Sequence, residues 1–236
     1  MTPRRTVVSD SRFRNQEANV KDYFEEIART FDSYYREDAD TKGLVGRMAH
    51  RFFRRPGLAC RFDATFRLLK DIRGKHILDV GCGSGVYAIE IARRGGSVTG
   101  VDVASEMIEL SRENASRAGM AQNCTFVQMD LIEFCDSTKS FDAVIAIGLF
   151  DYIKPDKQKL VLDRLFSVST GDVVVAFPKK WVPGALARKL WFFHKKLDVY
   201  YFTRSRIRKL CQGSGRAVEY VNCGPLWCVR FYRDSF

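Results

Sequence analysis

Apolar residues recur along this chain with two different periods, and the change of period divides it. Between Gln16 and Phe31, the side chains Val20, Phe24, Ile27 and Phe31 fall on one helical face, and Lys42 to Leu69 predicts one or two further helices. From His76 onward, short runs rich in β-branched residues alternate with helix-period segments. Strands are predicted at 76–82, 97–102, 124–130, 141–148 and 172–177, and helices near 86–94, 104–118 and 156–168. Such alternation builds a parallel sheet covered on both faces. Near the end, Ala217–Cys223 and Trp227–Tyr232 flank Gly224-Pro225, which predicts an antiparallel hairpin closing the sheet. The fold class expected is therefore α/β, with a mostly parallel seven-stranded sheet and a helical N-terminal extension.

The turn after the first strand carries the candidate chemistry. Ile77, Leu78 and Val80 lead into Gly81, Gly83 and Gly85, so the main chain can turn sharply and approach a ligand without intervening Cβ atoms. Asp102 ends the next strand 17 positions after Gly85, close to where an acid accepts bonds from ribose hydroxyls in dinucleotide folds. The turn departs from the dinucleotide fingerprint, however, because Asp79 precedes it. A carboxylate at that mouth repels a pyrophosphate and suits a ligand that carries an ammonium group.

The run from Leu78 to Gly85 (LDVGCGSG) resembles the first motif of class I S-adenosylmethionine-dependent methyltransferases. Two later landmarks extend the likeness: CTFVQMD at Cys124–Asp130 and FDAVIAIG at Phe141–Gly148. The resemblance covers roughly residues 43–178 and implies a Rossmann-like sheet with S-adenosylmethionine as cofactor. It further implies that Asp79, Gly81, Cys82 and Gly83 face the methionine part of the cofactor, and that Asp102 and Val103 lie at the ribose. Asp130 and Leu131 would contact the adenine, Met107 would pack near it, and the Ile147-Gly148 backbone would pass the methionyl group. Helical N-terminal additions in such enzymes fold over the cofactor, which makes Tyr34 and Tyr35 further candidates.

Composition narrows the setting. The chain has 236 residues, 46% of them hydrophobic, enough for one substantial core. Apolar runs stop well short of a membrane-spanning length, no signal-like segment follows the first residues, and the seven cysteines form no C-x-x-C pair. A cytoplasmic protein with reduced thiols is expected. Of the net charge of +11, residues 179–216 hold eleven Lys or Arg against the single acid Asp198. This basic stretch is interleaved with aromatics such as Trp181, Trp191 and Tyr200, and it follows the fifth strand at the edge where ligands bind. The expected organisation is a helical cap over 1–70 and a core over 71–236, with 179–210 inserted as a basic aromatic lid. That lid faces an acidic and partly apolar substrate, an anionic membrane surface, or nucleic acid.

A sulfonium methyl is already electrophilic, so transfer needs positioning, exclusion of water and, for a hydroxyl acceptor, a base. Candidates for that last role are His50, His194, Asp151 and Tyr152; His76 begins the first strand, at the wrong end. Gly148-Leu-Phe-Asp-Tyr152 replaces the Asn/Asp-Pro-Pro-aromatic motif used in methylating base amino groups, and no Pro-Cys pair or metal-binding trio of acids is evident. No metal is expected. The whole pattern is similar to the group containing ubiquinone-pathway and magnesium-protoporphyrin O-methyltransferases. It implies methyl transfer to an oxygen of an anionic, partly hydrophobic small molecule. Two alternatives stand beside it: an RNA methyltransferase, and a non-catalytic module that binds S-adenosylmethionine to regulate a partner.

Overall fold

The computed structural model describes residues 16–31, 55–137, 140–180, 182, 193 and 197–233. Its elements are α1 (Gln16–Phe31), α2 (Arg55–Leu69), β1 (His76–Val80), α3 (Val86–Arg93), β2 (Ser97–Asp102), α4 (Ser105–Arg117) and β3 (Cys124–Gln128). There follow α5 (Leu131–Ser137), β4 (Phe141–Ala146), α6 (Gln158–Ser167), β5 (Ser169–Pro178), α7 (Arg204–Cys211), β6 (Ala217–Cys223) and β7 (Leu226–Tyr232). The seven strands run in the order β3-β2-β1-β4-β5-β7-β6. The first five in that order are parallel, while β7 is antiparallel to β5 and to β6. This is the Rossmann-like mostly parallel sheet with an antiparallel C-terminal hairpin that the alternation predicts.

Each central strand sends alternate side chains into two apolar layers. Leu78, Val80, Val144, Ala146, Val173 and Val175 enter one, with α5, α6 and α7. Ile77, Ala143, Ile145, Val174 and Ala176 enter the other, with α2, α3 and α4. Both faces of these strands are dry, so apart from Asp79 in β1 their interiors read as apolar runs. Close packing leaves little room at two glycines. A Cβ on Gly171 would lie 2.3 Å from the Asp142 carbonyl oxygen, and one on Gly100 would lie 2.7 Å from the Phe126 ring.

Two segments assigned by sequence to the periphery pack into these layers. Helix α2, within the expected N-terminal cap, covers β5, β6 and β7 and buries Ala64, Phe66, Leu68 and Leu69. The end of the expected lid is also core. Phe202 is 1% exposed and meets Phe177 and Phe150 with ring centroids 4.9 and 6.2 Å apart, and α7 buries Ile207, Leu210 and Cys211. A buried Phe contributes about 1.5–3 kcal/mol relative to exposure, enough to anchor this stretch to the sheet. Periodicity in the sequence gave no sign of α5 or α7, since the first is short and the second hides its apolar stripe among four basic positions of eight.

The strand order reverses between β1 and β4: β1 leads to β2 on one side, and β4 stands on the other. Ligands of open α/β sheets bind at the carboxyl ends of strands at such a switch point. Helix α1 lies over that end. Its Ala28, Ile27 and Phe24 pack on Ala104 and Met107, and its Tyr23 joins Leu197 and Val199.

Candidate functional site

The turn that follows β1 at this switch point is built by backbone bonds to β2. The amides of Gly81 and Cys82 donate to the Val101 carbonyl at 2.8 and 3.1 Å, and Gly83 N donates to Asp102 Oδ2 at 3.0 Å. Gly81, Gly83 and Gly85 have φ of 70°, 51° and 80°, the left-handed region that glycine enters without a steric penalty. Asp102 Oδ1 accepts from Ala104 N at 3.0 Å, so one carboxylate fastens the glycine turn and the start of α4. Burial pushes the Asp102 carboxyl upward, and these amide bonds pull it back.

Asp79 is the anomalous group. It lies 2% exposed at the fourth position of β1, and its Oδ2 has no hydrogen-bond partner. Burial first, and then the charge of Asp102, pushes its carboxyl up to about 8. Ser84 Oγ in the same turn is likewise buried and unpartnered. Orphaned buried polar atoms are uncommon in native folds and mark a place completed by a ligand. A cationic ligand group beside Asp79 would return it to the charged form.

Across the switch point, the chain leaving β4 supplies the opposite wall. Ile147 is buried, Gly148 turns with φ of 89°, and Leu149 packs on the bare Cα of Gly81, 3.4 Å from where a Cβ would stand. On the third side, Arg61 of α2 places Nη1 3.5 Å from the Cβ position of Gly148, and its Nε donates to the Tyr87 hydroxyl at 3.1 Å. A guanidinium at this mouth suits a carboxylate. Neither Arg61 nor Tyr87 is singled out by sequence, because Arg61 is one of several arginines in a helical stretch and Tyr87 reads as a core residue of α3.

The remaining residues implied by resemblance are placed as follows. Val103, immediately after Asp102, is 38% exposed, an apolar surface at the end of β2. Met107 is fully buried in the seam between α4 and α1. Asp130 caps α5: its Oδ1 accepts from Ile132 N at 2.8 Å and from Glu133 N at 3.3 Å, with Leu131 half-buried behind it. Asp151 and Tyr152 follow the β4 exit, where the Asp151 carbonyl accepts from Tyr200 N at 2.8 Å and the Tyr152 ring meets Phe24 of α1 edge-on at 5.4 Å. His50, His194, Tyr34 and Tyr35 lie outside the described residues, as does most of 181–196. His76 sits at the amino end of β1 with Nε2 2.9 Å from Thr99 Oγ1, away from the site. Among the described residues, no group of three or more His, Cys, Asp or Glu side chains is arranged to hold a metal ion. No helix among them is long and apolar enough to cross a membrane.

Residues 77–170 match the family described as a methyltransferase domain. Among curated proteins, the chain is similar to a ubiquinone biosynthesis O-methyltransferase of Coxiella burnetii, 30% identical over 90 residues, which covers 38% of this chain and 37% of that protein. The enzyme of the same name from Alkalilimnicola ehrlichii is 34% identical over 102 residues, 43% of this chain and 40% of that one. The chain thus spans about two fifths of the length of these relatives. Among solved structures, magnesium protoporphyrin IX methyltransferase from Synechocystis PCC 6803, with bound SAH, superposes with a TM-score of 0.74 at 18% identity. The superposition covers 93% of this chain and all of that one. The matched sequence segment runs from β1 to the start of β5, and so contains Asp79, the glycine turn, Asp102 and the β4 exit.

Proposed function

We propose that this chain, a member of the class I S-adenosylmethionine-dependent methyltransferases, transfers the cofactor's methyl group to an oxygen of a small, anionic and partly hydrophobic acceptor. The observation that carries the reading is the buried, unpartnered carboxylate oxygen of Asp79 beside a left-handed glycine turn at the switch point of the sheet. S-adenosylmethionine, when bound, supplies an electrophilic methyl on a sulfonium centre. The residues present fit its polar ends: Asp79 for the ammonium, Arg61 for the carboxylate, and Asp102 for the ribose hydroxyls. Val103 and Leu131 offer apolar surface for the adenine, with Asp130 at its edge, and Gly81, Cys82 and Gly83 let backbone lie against the methionyl chain.

The protein's part in the reaction is to hold and to exclude. Leu149 on Gly81 and Ile147 fix the wall from which an acceptor is presented, so the nucleophile is kept in line. Helix α1 excludes water from above through Phe24, Ile27 and Ala28, a role in which Met107 serves as the surface it seals against. A carboxylate acceptor needs no base. For a hydroxyl acceptor, the proton would pass to a carboxylate oxygen of Asp151 at the β4 exit, with Tyr152, His50 and His194 as further candidates. An acidic acceptor also accords with the basic stretch 179–210, which on this reading faces either the acceptor itself or an anionic membrane on which it is presented.

The relatives' names, ubiquinone biosynthesis O-methyltransferase and magnesium protoporphyrin IX methyltransferase, support oxygen and a small molecule. The test is transfer of radiolabelled methyl from S-adenosylmethionine into an extract separated into lipid-soluble, aqueous small-molecule, nucleic-acid and protein pools. Label is expected in a small-molecule pool, extractable into organic solvent at acid pH. Label in RNA would replace this reading, and cofactor binding with no label in any pool would favour a regulatory module.

A further inference from the structure

At the far corner of the sheet, where β5 ends and β7 begins, two cations are held against one aromatic ring. Lys179 Nζ lies 3.9 Å from the centroid of Trp227, and Arg204 Cζ lies 4.3 Å from it. Arg204 also stands 5.2 Å over Tyr220, whose ring meets Trp227 edge-on at 6.2 Å. Lys179 is fixed further by donating to Asn222 Oδ1 and to the Gly224 carbonyl. The Tyr220 hydroxyl donates to the Arg204 carbonyl at 3.5 Å, and the positive charge of Arg208, one turn along α7, acts on the same hydroxyl.

Among the described residues, no carboxylate pairs with Lys179, Arg204 or Arg208. Burial first, and to a lesser degree the neighbouring charge of Arg204, lowers the Lys179 ammonium from its ordinary range. Like charges held together without a counter-ion repel, an arrangement that an arriving anion relieves. Nearby cations elsewhere are treated differently. Arg230 is bound to Asp172 at 2.9 Å and to Glu219 at 3.3 Å, and Arg206 donates to the Pro155 carbonyl at 3.1 Å and Gln158 Oε1 at 3.2 Å. A basic edge strand would discourage strand pairing with charge alone. It would not need an ammonium and a guanidinium clamped on a half-buried indole.

The geometry points to an anion-binding site formed by Lys179, Arg204 and Arg208 around Trp227 and Tyr220, which takes a phosphate or carboxylate group carried on an apolar body. Arg204 and Arg208 contribute planar forks that match such oxyanions, and the two aromatic rings supply the surface for the body attached to them. Strands lie about 4.8 Å apart, so Trp227 at the start of β7 stands roughly 10 Å from the β4 exit. The same chemistry has two sources, a free organic acid and an anionic lipid headgroup. The site rests on the reading of the basic stretch 179–210 given above and narrows it to three residues, and because its test follows binding alone, it can fail while methyl transfer stands.

The experiment titrates the full chain with phenyl phosphate at constant ionic strength and follows the indole resonance of Trp227, identified by its loss in Trp227→Phe. In parallel, it sediments the protein with phosphatidylcholine vesicles with and without phosphatidylglycerol. A saturable shift, at least about tenfold weaker in a Lys179→Gln/Arg204→Gln double variant and retained in Arg204→Lys, would establish the site for free acids. Binding confined to phosphatidylglycerol vesicles, and lost in the same double variant, would assign it to lipid headgroups. No saturation with either probe, or binding unchanged in a double variant that melts normally, would overturn the inference.

Discussion

Asp102 and Gly83 are 19 residues apart in the chain and joined by one bond: the Gly83 amide donates to Asp102 Oδ2 at 3.0 Å. Through Oδ1, the same carboxylate holds Ala104 N, so the turn that faces the ligand and the helix that follows β2 share one anchor. Replacing Asp102 therefore costs twice, by loosening the turn and by removing the proposed acceptor for ribose hydroxyls. Asp102→Ala should weaken S-adenosylmethionine binding by about a hundredfold and lower stability by about 1–3 kcal/mol, from the amides left unpaired. Calorimetric titration and thermal unfolding check the two effects. Unchanged affinity would remove Asp102 from the cofactor site.

Gly83→Val tests the turn without touching the carboxylate. A β-branched residue at φ of 51° is strained whatever room surrounds it. Cofactor affinity should fall at least tenfold while the far-ultraviolet circular dichroism stays that of the wild type. Equal affinity in the two proteins would mean that the turn is structural only.

Arg61 and Tyr87 act as a pair. Arg61→Leu should raise the KM for the cofactor by about ten- to a hundredfold, the worth of one charge-assisted contact to a carboxylate. Tyr87→Phe, which removes only the hydroxyl accepting from Arg61 Nε, should give a smaller change in the same direction. An effect of Arg61→Leu on the KM for the acceptor alone would move Arg61 to the other side of the site.

The interior was readable from the chain to the extent that periodicity reports burial. The strands β1, β2 and β4 emerge within two residues of their expected ends, because their interior positions are buried and most of the side chains there are apolar. Strand β5 is three residues longer at its start than expected, since Ser169, Thr170 and Gly171 are not apolar; the first two pair by hydroxyl bonds to carbonyls instead. At the site, Asp79, the glycines and Asp102 were legible because their spacing is local and rigidly tied to one turn. Arg61 was not, because its role depends on α2 crossing the sheet to reach Gly148, a contact between residues 87 positions apart that no local pattern encodes. Arg204 was legible only as charge. Its pairing with Trp227 depends on β7 turning back beside β5, which sets the ring next to the first turn of α7.

Packing at the amino end of the sheet makes a prediction independent of function. A methyl on Gly171 would collide with the Asp142 carbonyl at 2.3 Å, and this is backbone that cannot swing aside. Gly171→Ala should destabilise the protein by about 1–3 kcal/mol, the usual cost of overpacking. Because the residue lies at the opposite end of the strands from the switch point, cofactor affinity of the folded fraction should be unchanged. Urea unfolding beside calorimetric titration separates the two quantities.

Asp79 links stability to function with opposite signs. Its carboxyl, ordinarily near 3.8, is raised to about 8 by burial and by Asp102, so the folded chain binds a proton there more tightly than the unfolded chain does. A group raised in the folded state contributes stability that is full below the unfolded value and is lost as pH rises through the folded one. Ligand-free protein should therefore lose stability from this residue between about pH 4 and pH 8. Asp79→Asn keeps the size, removes the ionisation, and should flatten that slope, leaving the variant more stable than the wild type at pH 8 by about 1–4 kcal/mol. The same substitution removes the anionic partner for the ligand's ammonium, so its affinity for S-adenosylmethionine should fall by at least about tenfold. Thermal unfolding across pH, with and without saturating cofactor, reads both effects. In the wild type the cofactor should give its largest stabilisation at the alkaline end, where the buried carboxylate is charged and otherwise unpaired. An equal pH slope in wild type and variant would show that Asp79 titrates alike in the folded and unfolded chain, and unchanged cofactor affinity in Asp79→Asn would remove it as the ammonium's partner.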